Sequence, residues 1–137
     1  MTCSTSHPRV ATGTRPVAAT DCVTSQTMTA EWFIMRTDLG SDSQERTAVI
    51  RLGGELDVTV STTLAELLAP LSDIKPDRVV IDLDQADFLD CGTAAVIFNA
   101  ARRALRPGEK PVIRAQGPII RRMLQLTGWD TRCIVQA

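Results

Sequence analysis

One stretch of the sequence, residues 78–106, constrains the fold most. It begins with an apolar run rich in β-branched side chains, residues 79–83, which predicts a buried central strand. An acidic segment, residues 82–90, is predicted to be a loop, and an Ala-rich helical pattern then runs from about Gly92 to Leu105. Strand, acidic loop and helix N-terminus form the arrangement in which α/β domains usually place their functional residues.

The rest of the chain predicts a hairpin followed by alternating helices and strands. Residues 31–37 and 47–52 have strand patterns, and residues 54–57 are predicted to turn the chain. A first helix should carry Leu64, Leu67, Leu68 and Leu71 on one face and bend or end at Pro70. A last helix should start at Pro118 and end at Gly128, with Ile119, Ile120, Met123 and Leu124 on its apolar side. Short strands are predicted before and after it, at 111–115 and 133–135. We therefore expect one α/β domain, with a small mixed sheet of four to five strands flanked by three to four helices.

The first 29 residues differ in character from the remainder. They are rich in Thr, Ser, Ala and Pro and show no apolar periodicity, so we expect a disordered N-terminal extension over 1–29 and the folded domain over 30–137. An alternative is that the natural protein begins at Met28. The segment lacks the apolar core of a secretory signal, which favours a cytoplasmic protein.

Composition narrows the function further. The net charge of −1, an aromatic content of 4% and the lack of an apolar run of about 18 residues argue against direct nucleic-acid binding and a membrane span. The four cysteines have no metal-ligand spacing, and the single histidine, His7, lies in the extension. We therefore expect no metal, no cofactor and no enzymatic activity, because a Cys91 nucleophile would have no histidine base in the domain.

Three short motifs resemble one family. They are Gly-Glu-Leu-Asp at 54–57, the segment Val-Val-Ile-Asp-Leu-Asp-Gln-Ala-Asp-Phe-Leu-Asp at 79–90, and Arg-Arg-Met-Leu-Gln-Leu-Thr-Gly-Trp-Asp at 121–130. In this order and spacing they are similar to the STAS domain, and within it to the bacterial anti-sigma factor antagonists. The resemblance implies a STAS fold and competitive binding to an anti-sigma factor, a serine-protein kinase of the kinase-like ATPase type.

The resemblance also implies a phosphorylation switch, which this sequence alters. The family places a phosphorylated hydroxyl residue where this chain has Gly92, so we consider Thr93 as a displaced acceptor. The implied partner-binding loop comprises Asp84, Asp87, Asp90, Cys91, Gly92 and Thr93. A reversible disulfide between Cys91 and Cys133 is a second route to regulation, with simple packing roles for both cysteines as the alternative. A scaffolding or ligand-sensing STAS module without phosphoregulation is the alternative function, and the oligomeric state, including a dimer, stays open.

Overall fold

The computed structural model describes residues 14–16, 21–24, 28–38, 40 and 44–136. Its elements, in chain order, are β1 (Thr14–Pro16), β2 (Asp21–Thr24), β3 (Met28–Asp38), β4 (Gln44–Leu56), a 3-10 turn (Val58–Val60), α1 (Ser61–Leu68), α2 (Leu71–Ile74), β5 (Arg78–Leu89), α3 (Cys91–Ala104), β6 (Val112–Arg114), α4 (Pro118–Thr127), α5 (Trp129–Arg132) and β7 (Ile134–Gln136).

The strands form one mixed sheet. The hairpin β3–β4 is antiparallel, and β4–β5, β5–β6 and β6–β7 are parallel pairs, so the predicted mixed α/β sheet is confirmed in β3 to β7. The other edge of β3 pairs with β1 and β2. These two short strands, and the first two residues of β3, lie where disorder was predicted for all of 1–29. The remainder of that segment lies outside the described residues, so the boundary at residue 30 stays a prediction.

The core lies between the sheet and the helices. Alternate residues of each long strand, such as Ile34, Ile50 and Ile81, are 0% exposed and belong to the same cluster as Phe98 of α3 and Leu124 of α4. Because only one set of alternating strand residues joins this cluster, the helices cover one face of the sheet. Full burial of such a side chain contributes roughly 1.5–3 kcal/mol, so this face supplies most of the stabilisation.

Two helical predictions are confirmed and one is wrong. Pro70 does end the first helix: α1 stops at Leu68 and the chain restarts as α2 at Leu71. Gly128 ends α4 with a left-handed φ of 81°, as a C-cap glycine does. Ile119 was predicted on the apolar side of α4, but it is 72% exposed. None of the helices in the described part of the chain is long and apolar enough to span a membrane.

The predicted acidic loop is largely a strand. β5 continues to Leu89, so Asp84 and Asp87 are strand residues and only Asp90 lies between β5 and α3. Likewise β4 runs through Gly53 and Gly54, where the sequence predicted a turn. The pairing of Gly54 with Ala86 and of Glu55 with Phe88 keeps both strands extended, with a register shift between Gly54 and Glu55. Gly54 takes a φ of +80° there, a conformation that suits glycine at a bulge.

Candidate protein-binding site

Two strand ends meet at the N-terminus of α3. Leu56 of β4 is in register with Leu89 of β5, and the Asp90 N–H donates to the Leu56 carbonyl at 3.1 Å. Each strand then enters a helical segment through an aspartate cap. Asp57 Oδ1 accepts from the Thr59 N–H at 3.0 Å, and Asp90 Oδ1 accepts from the Thr93 N–H at 2.7 Å. Two carboxylates are thereby fixed at the same edge of the sheet.

Asp90 is held in its charged form by this geometry. The hydrogen bond from the backbone N–H of Thr93 is the largest cause, and it lowers the pKa of Asp90 below its ordinary value. A carboxylate at the N-cap also interacts favourably with the positive end of the helix. The negative charge beside α3 is therefore a fixed feature of the site at neutral pH.

Thr93 faces the protein interior. Thr93 is 1% exposed, and its Oγ1 atom is buried without a partner at hydrogen-bond geometry. A kinase cannot reach a hydroxyl in this position unless the first turn of α3 opens. The structure thus argues against Thr93 as a displaced phosphoacceptor.

Gly92, in contrast, is exposed and has free space around it. A Cβ added there would meet only Asp90 Oδ1, at 3.8 Å, which is ordinary van der Waals distance. Its φ is not among the positive ones. A serine would therefore fit this position without strain.

The two cysteines considered for a disulfide lie far apart. Cys91 is exposed and follows the carboxyl end of β5, whereas Cys133 is buried and precedes β7. Ile134 aligns through Val112 with Val80, near the start of β5, whereas Cys91 follows its end, so the two thiols lie toward opposite ends of that strand. Burial raises the pKa of the Cys133 thiol to about 11. Both are free thiols, and a bridge between them would require the fold to be taken apart.

The remaining predicted residues divide into two groups. Asp87 is exposed one residue before Phe88 and stays near the α3 N-terminus. Asp84 lies six residues upstream of Asp90, within β5, and approaches Arg114 of β6 at 4.0 Å. Asp84 is therefore separated from the other predicted loop residues.

Sequence reasoning missed two exposed apolar side chains at this edge. Val58 of the 3-10 turn is 74% exposed, and Phe88 of β5 is 47% exposed. Phe88 belongs to the motif at 79–90, but the sequence pattern does not reveal on which face of the sheet its side chain lies. No feature of the sequence indicated that Val58 is exposed. Phe88 precedes the core residue Leu89 in β5, so its side chain leaves the sheet on the face that the helices do not cover. We call the group Val58, Asp87, Phe88, Asp90, Cys91 and Gly92, which lie at this end of the sheet, the α3 N-terminal surface.

Exposed apolar and acidic side chains make up this surface. Among the described residues, no group of three or more histidine, cysteine or acidic side chains is placed to hold a metal ion. Apolar side chains surrounded by fixed carboxylates are typical of a protein-binding surface, because the apolar part gains from burial and the charges select the partner.

Known proteins resemble this chain over most of its length. Residues 39–136 match the family described as Mlab, STAS domain. The anti-sigma-F factor antagonist RsfB of Mycobacterium tuberculosis is 30% identical over 83 residues, which are 61% of this chain and 67% of that protein.

Two solved structures share the fold. An anti-sigma factor antagonist from Mycobacterium paratuberculosis has a TM-score of 0.59 at 23% identity, covering 76% of this chain and 84% of that one. The unphosphorylated anti-sigma factor antagonist SpoIIAA has a TM-score of 0.53 at 17% identity, covering 76% of this chain and 88% of that one.

Proposed function

The chain belongs to the STAS domain family, and we propose that it acts as an anti-sigma factor antagonist that binds an anti-sigma factor through the α3 N-terminal surface. The observation that carries this proposal is the exposure of Val58 and Phe88, each within two residues of the Asp57 or Asp90 cap. The likeness to RsfB supports the assignment. On this proposal the protein acts by binding alone and in the cytoplasm, and it has no catalytic step.

The surface defines what the partner should look like. Val58 and Phe88 need an apolar cleft, and burying the exposed parts of these two side chains contributes roughly 2–4 kcal/mol before the costs of association. Asp87 and Asp90 favour basic residues around that cleft, which also raises the association rate at low salt. A kinase-like anti-sigma factor with a basic rim is the partner that we propose.

We further propose that this antagonist lacks the usual phosphorylation switch. Gly92 has no hydroxyl, and the hydroxyl of the next residue, Thr93, is buried. A phosphoryl group would add about −1.5 to −2 charges to a surface that already holds fixed carboxylates. Without an acceptor, the surface stays competent for binding whenever it is free.

The binding site is tested with a matched pair of variants. Phe88 and Ile134 are large apolar residues with nearly equal exposure, 47% and 48%, but Ile134 lies in β7. We expect Phe88→Ser to weaken the complex with the cognate anti-sigma factor about tenfold or more in a calorimetric titration, while Ile134→Ser stays within about twofold. Equal effects of the two substitutions would place the interface elsewhere, and no complex with any anti-sigma factor of the same genome would refute the function.

The missing switch is tested by intact-mass measurement after incubation with that anti-sigma factor and ATP. The wild-type chain should gain no phosphoryl group, whereas Gly92→Ser should gain one, because the added side chain is exposed and fits the first turn of α3. The double variant Gly92→Ser/Thr93→Ala serves as control and should behave like Gly92→Ser. Phosphorylation of the wild type at Thr93 would show that the first turn opens and that the switch is intact.

A ligand-sensing role is the second candidate, favoured by one feature. An open groove of about 340 Å³ lies between α1 and α3, lined largely by small side chains such as Ala65, Ala69 and Ala95, with Arg103 as its one charged residue. The volume is at the small end of ligand sites. A rise in melting temperature with a small anionic ligand, lost in Arg103→Ala, would favour this role.

A further inference from the structure

A second exposed apolar pair lies on α4. Ile119 and Leu126 are 72% and 73% exposed. They are seven residues apart, so they share one side of the helix and are separated by about 10 Å along its axis. Arg121 and Arg122 are exposed on the same helix, and neither has an ion-pair partner among the described residues. Arg122 is about 60° around the helix from Ile119, whereas Arg121 lies on nearly the opposite side. We call Ile119, Arg122 and Leu126 the α4 surface.

Acidic and basic side chains are unevenly distributed along residues 44–136. Residues 44–90 contain ten acidic and four basic side chains, whereas residues 91–136 contain two acidic and eight basic ones. The α3 N-terminal surface belongs mainly to the acidic half, where the exposed Glu55 pairs with Phe88 in the sheet. The α4 surface belongs to the basic half. The small net charge of −1 conceals this polarity.

We propose that the α4 surface binds the α3 N-terminal surface of a second copy of this chain. Each of the two surfaces presents a pair of exposed apolar side chains, and their surrounding charges are opposite in sign. A contact between the α4 surface of one copy and the α3 N-terminal surface of another buries apolar side chains of both and brings opposite charges together. A contact between two copies of the same surface would bring charges of one sign together. Leu126 would pack against Phe88 of the other copy, with Arg122 near Asp87.

The contact should be weak and sensitive to salt. Two apolar pairs and their charged rim form an interface well below the roughly 800 Å² per partner of a stable complex, so we expect a dissociation constant between about 10 μM and 1 mM. Exposed charge pairs are screened over about 10 Å at 0.1 M salt, so self-association should weaken several-fold between about 0.05 and 0.5 M salt.

Self-association would also control the proposed function, because it covers the same surface that binds the anti-sigma factor. This consequence rests on the proposed function, but the contact between copies does not. A free surface exists only in chains that are not covered by another copy, so the antagonist would be partly masked at high concentration and released by dilution or by a tighter partner.

Sedimentation velocity of the full chain alone, over a concentration series at low salt, tests the contact. Wild type should self-associate, while Leu126→Ser and Phe88→Ser should each be monomeric. An equimolar mixture of these two variants should associate again, because each supplies the surface that the other lacks. Ile134→Ser is the control, since it removes an equally exposed apolar side chain from β7, and it should behave as wild type.

Each other outcome overturns the inference. A monomeric wild type over the whole range excludes it, and a Phe88→Ser variant that still self-associates indicates a contact between like surfaces. Loss of association in Ile134→Ser indicates pairing through the β7 edge. The two proposals fail separately: Leu126→Ser should keep its affinity for the anti-sigma factor, and loss of self-association in Phe88→Ser without loss of that affinity would refute the binding site alone.

Discussion

Replacing Thr93 by valine should stabilise the protein. The Thr93 Oγ1 atom is buried without a partner at hydrogen-bond geometry, although the hydroxyl is close enough to the Asp90 carboxylate to help lower its pKa. A buried hydroxyl that makes no hydrogen bond costs roughly 1–3 kcal/mol relative to water. Valine has nearly the same shape and puts a methyl group in place of the hydroxyl. Threonine and valine have similar helix propensities, and the backbone N–H that donates to Asp90 at 2.7 Å is kept. We therefore expect Thr93→Val to raise the free energy of unfolding by about 1 kcal/mol, which corresponds to roughly 4 °C in melting temperature.

Urea unfolding followed by tryptophan fluorescence measures this change. Thr93→Ser is the matched control, because it keeps the hydroxyl and removes the methyl group from a residue that is 1% exposed, and it should destabilise by about 1 kcal/mol. A Thr93→Val variant that loses stability would refute the reasoning, since it would mean that the hydroxyl makes a hydrogen bond, most simply to the Asp90 carboxylate. Thr93→Val should also bind the anti-sigma factor like wild type.

Two further predictions concern charge and thiol chemistry. Asp90→Ala should lower the free energy of unfolding by about 1 kcal/mol at pH 7. The folded pKa of Asp90 lies below its unfolded value of about 3.9, so this contribution to stability is complete above that pH and is lost as the pH falls through the folded pKa. The free energies of unfolding of wild type and Asp90→Ala should therefore converge in acid. A constant difference between them would contradict the role of Asp90 as a cap. Iodoacetamide at pH 8 should label Cys91 in the native protein and leave Cys133 unmodified, because Cys133 is buried and its pKa is raised to about 11. Equal labelling of the two cysteines in peptide mapping would contradict the burial of Cys133.

Apolar periodicity predicted the fold well where a side chain's burial follows its sequence position. The hairpin and the α1 face with Leu64 are both present. The prediction was wrong where polar residues occupy a strand. Aspartate and glycine are rare in strands, so β5 was predicted to end near Leu83, although parallel pairing with β4 carries it to Leu89. Tertiary pairing decided these boundaries, and a local pattern does not contain it.

The candidate site was predictable in its chemistry and not in its arrangement. The motif marked the aspartates around α3, but only the structure separates Asp84 from them and buries Thr93. Val58 and Ile119 show why surfaces are harder to predict than cores. A sequence pattern normally assigns an apolar residue to the interior. Such a residue is exposed when no neighbouring element packs against its side of the helix or turn, and the sequence does not show this.

On the proposed function, Gly92 in place of a hydroxyl residue changes the kind of regulation that this surface can support. A phosphoryl group adds charge to one molecule at a time and can abolish its binding at any protein concentration. Masking by a second copy acts through mass action: at a concentration about ten times the dissociation constant it lowers the apparent affinity for another partner only several-fold. The Gly92 chain would therefore respond in a graded way to its own abundance, whereas a chain with an acceptor responds to the activity of a kinase. The concentration dependence of anti-sigma factor binding, compared between wild type and Leu126→Ser, separates these two forms of control, because only wild type should lose apparent affinity as its concentration rises.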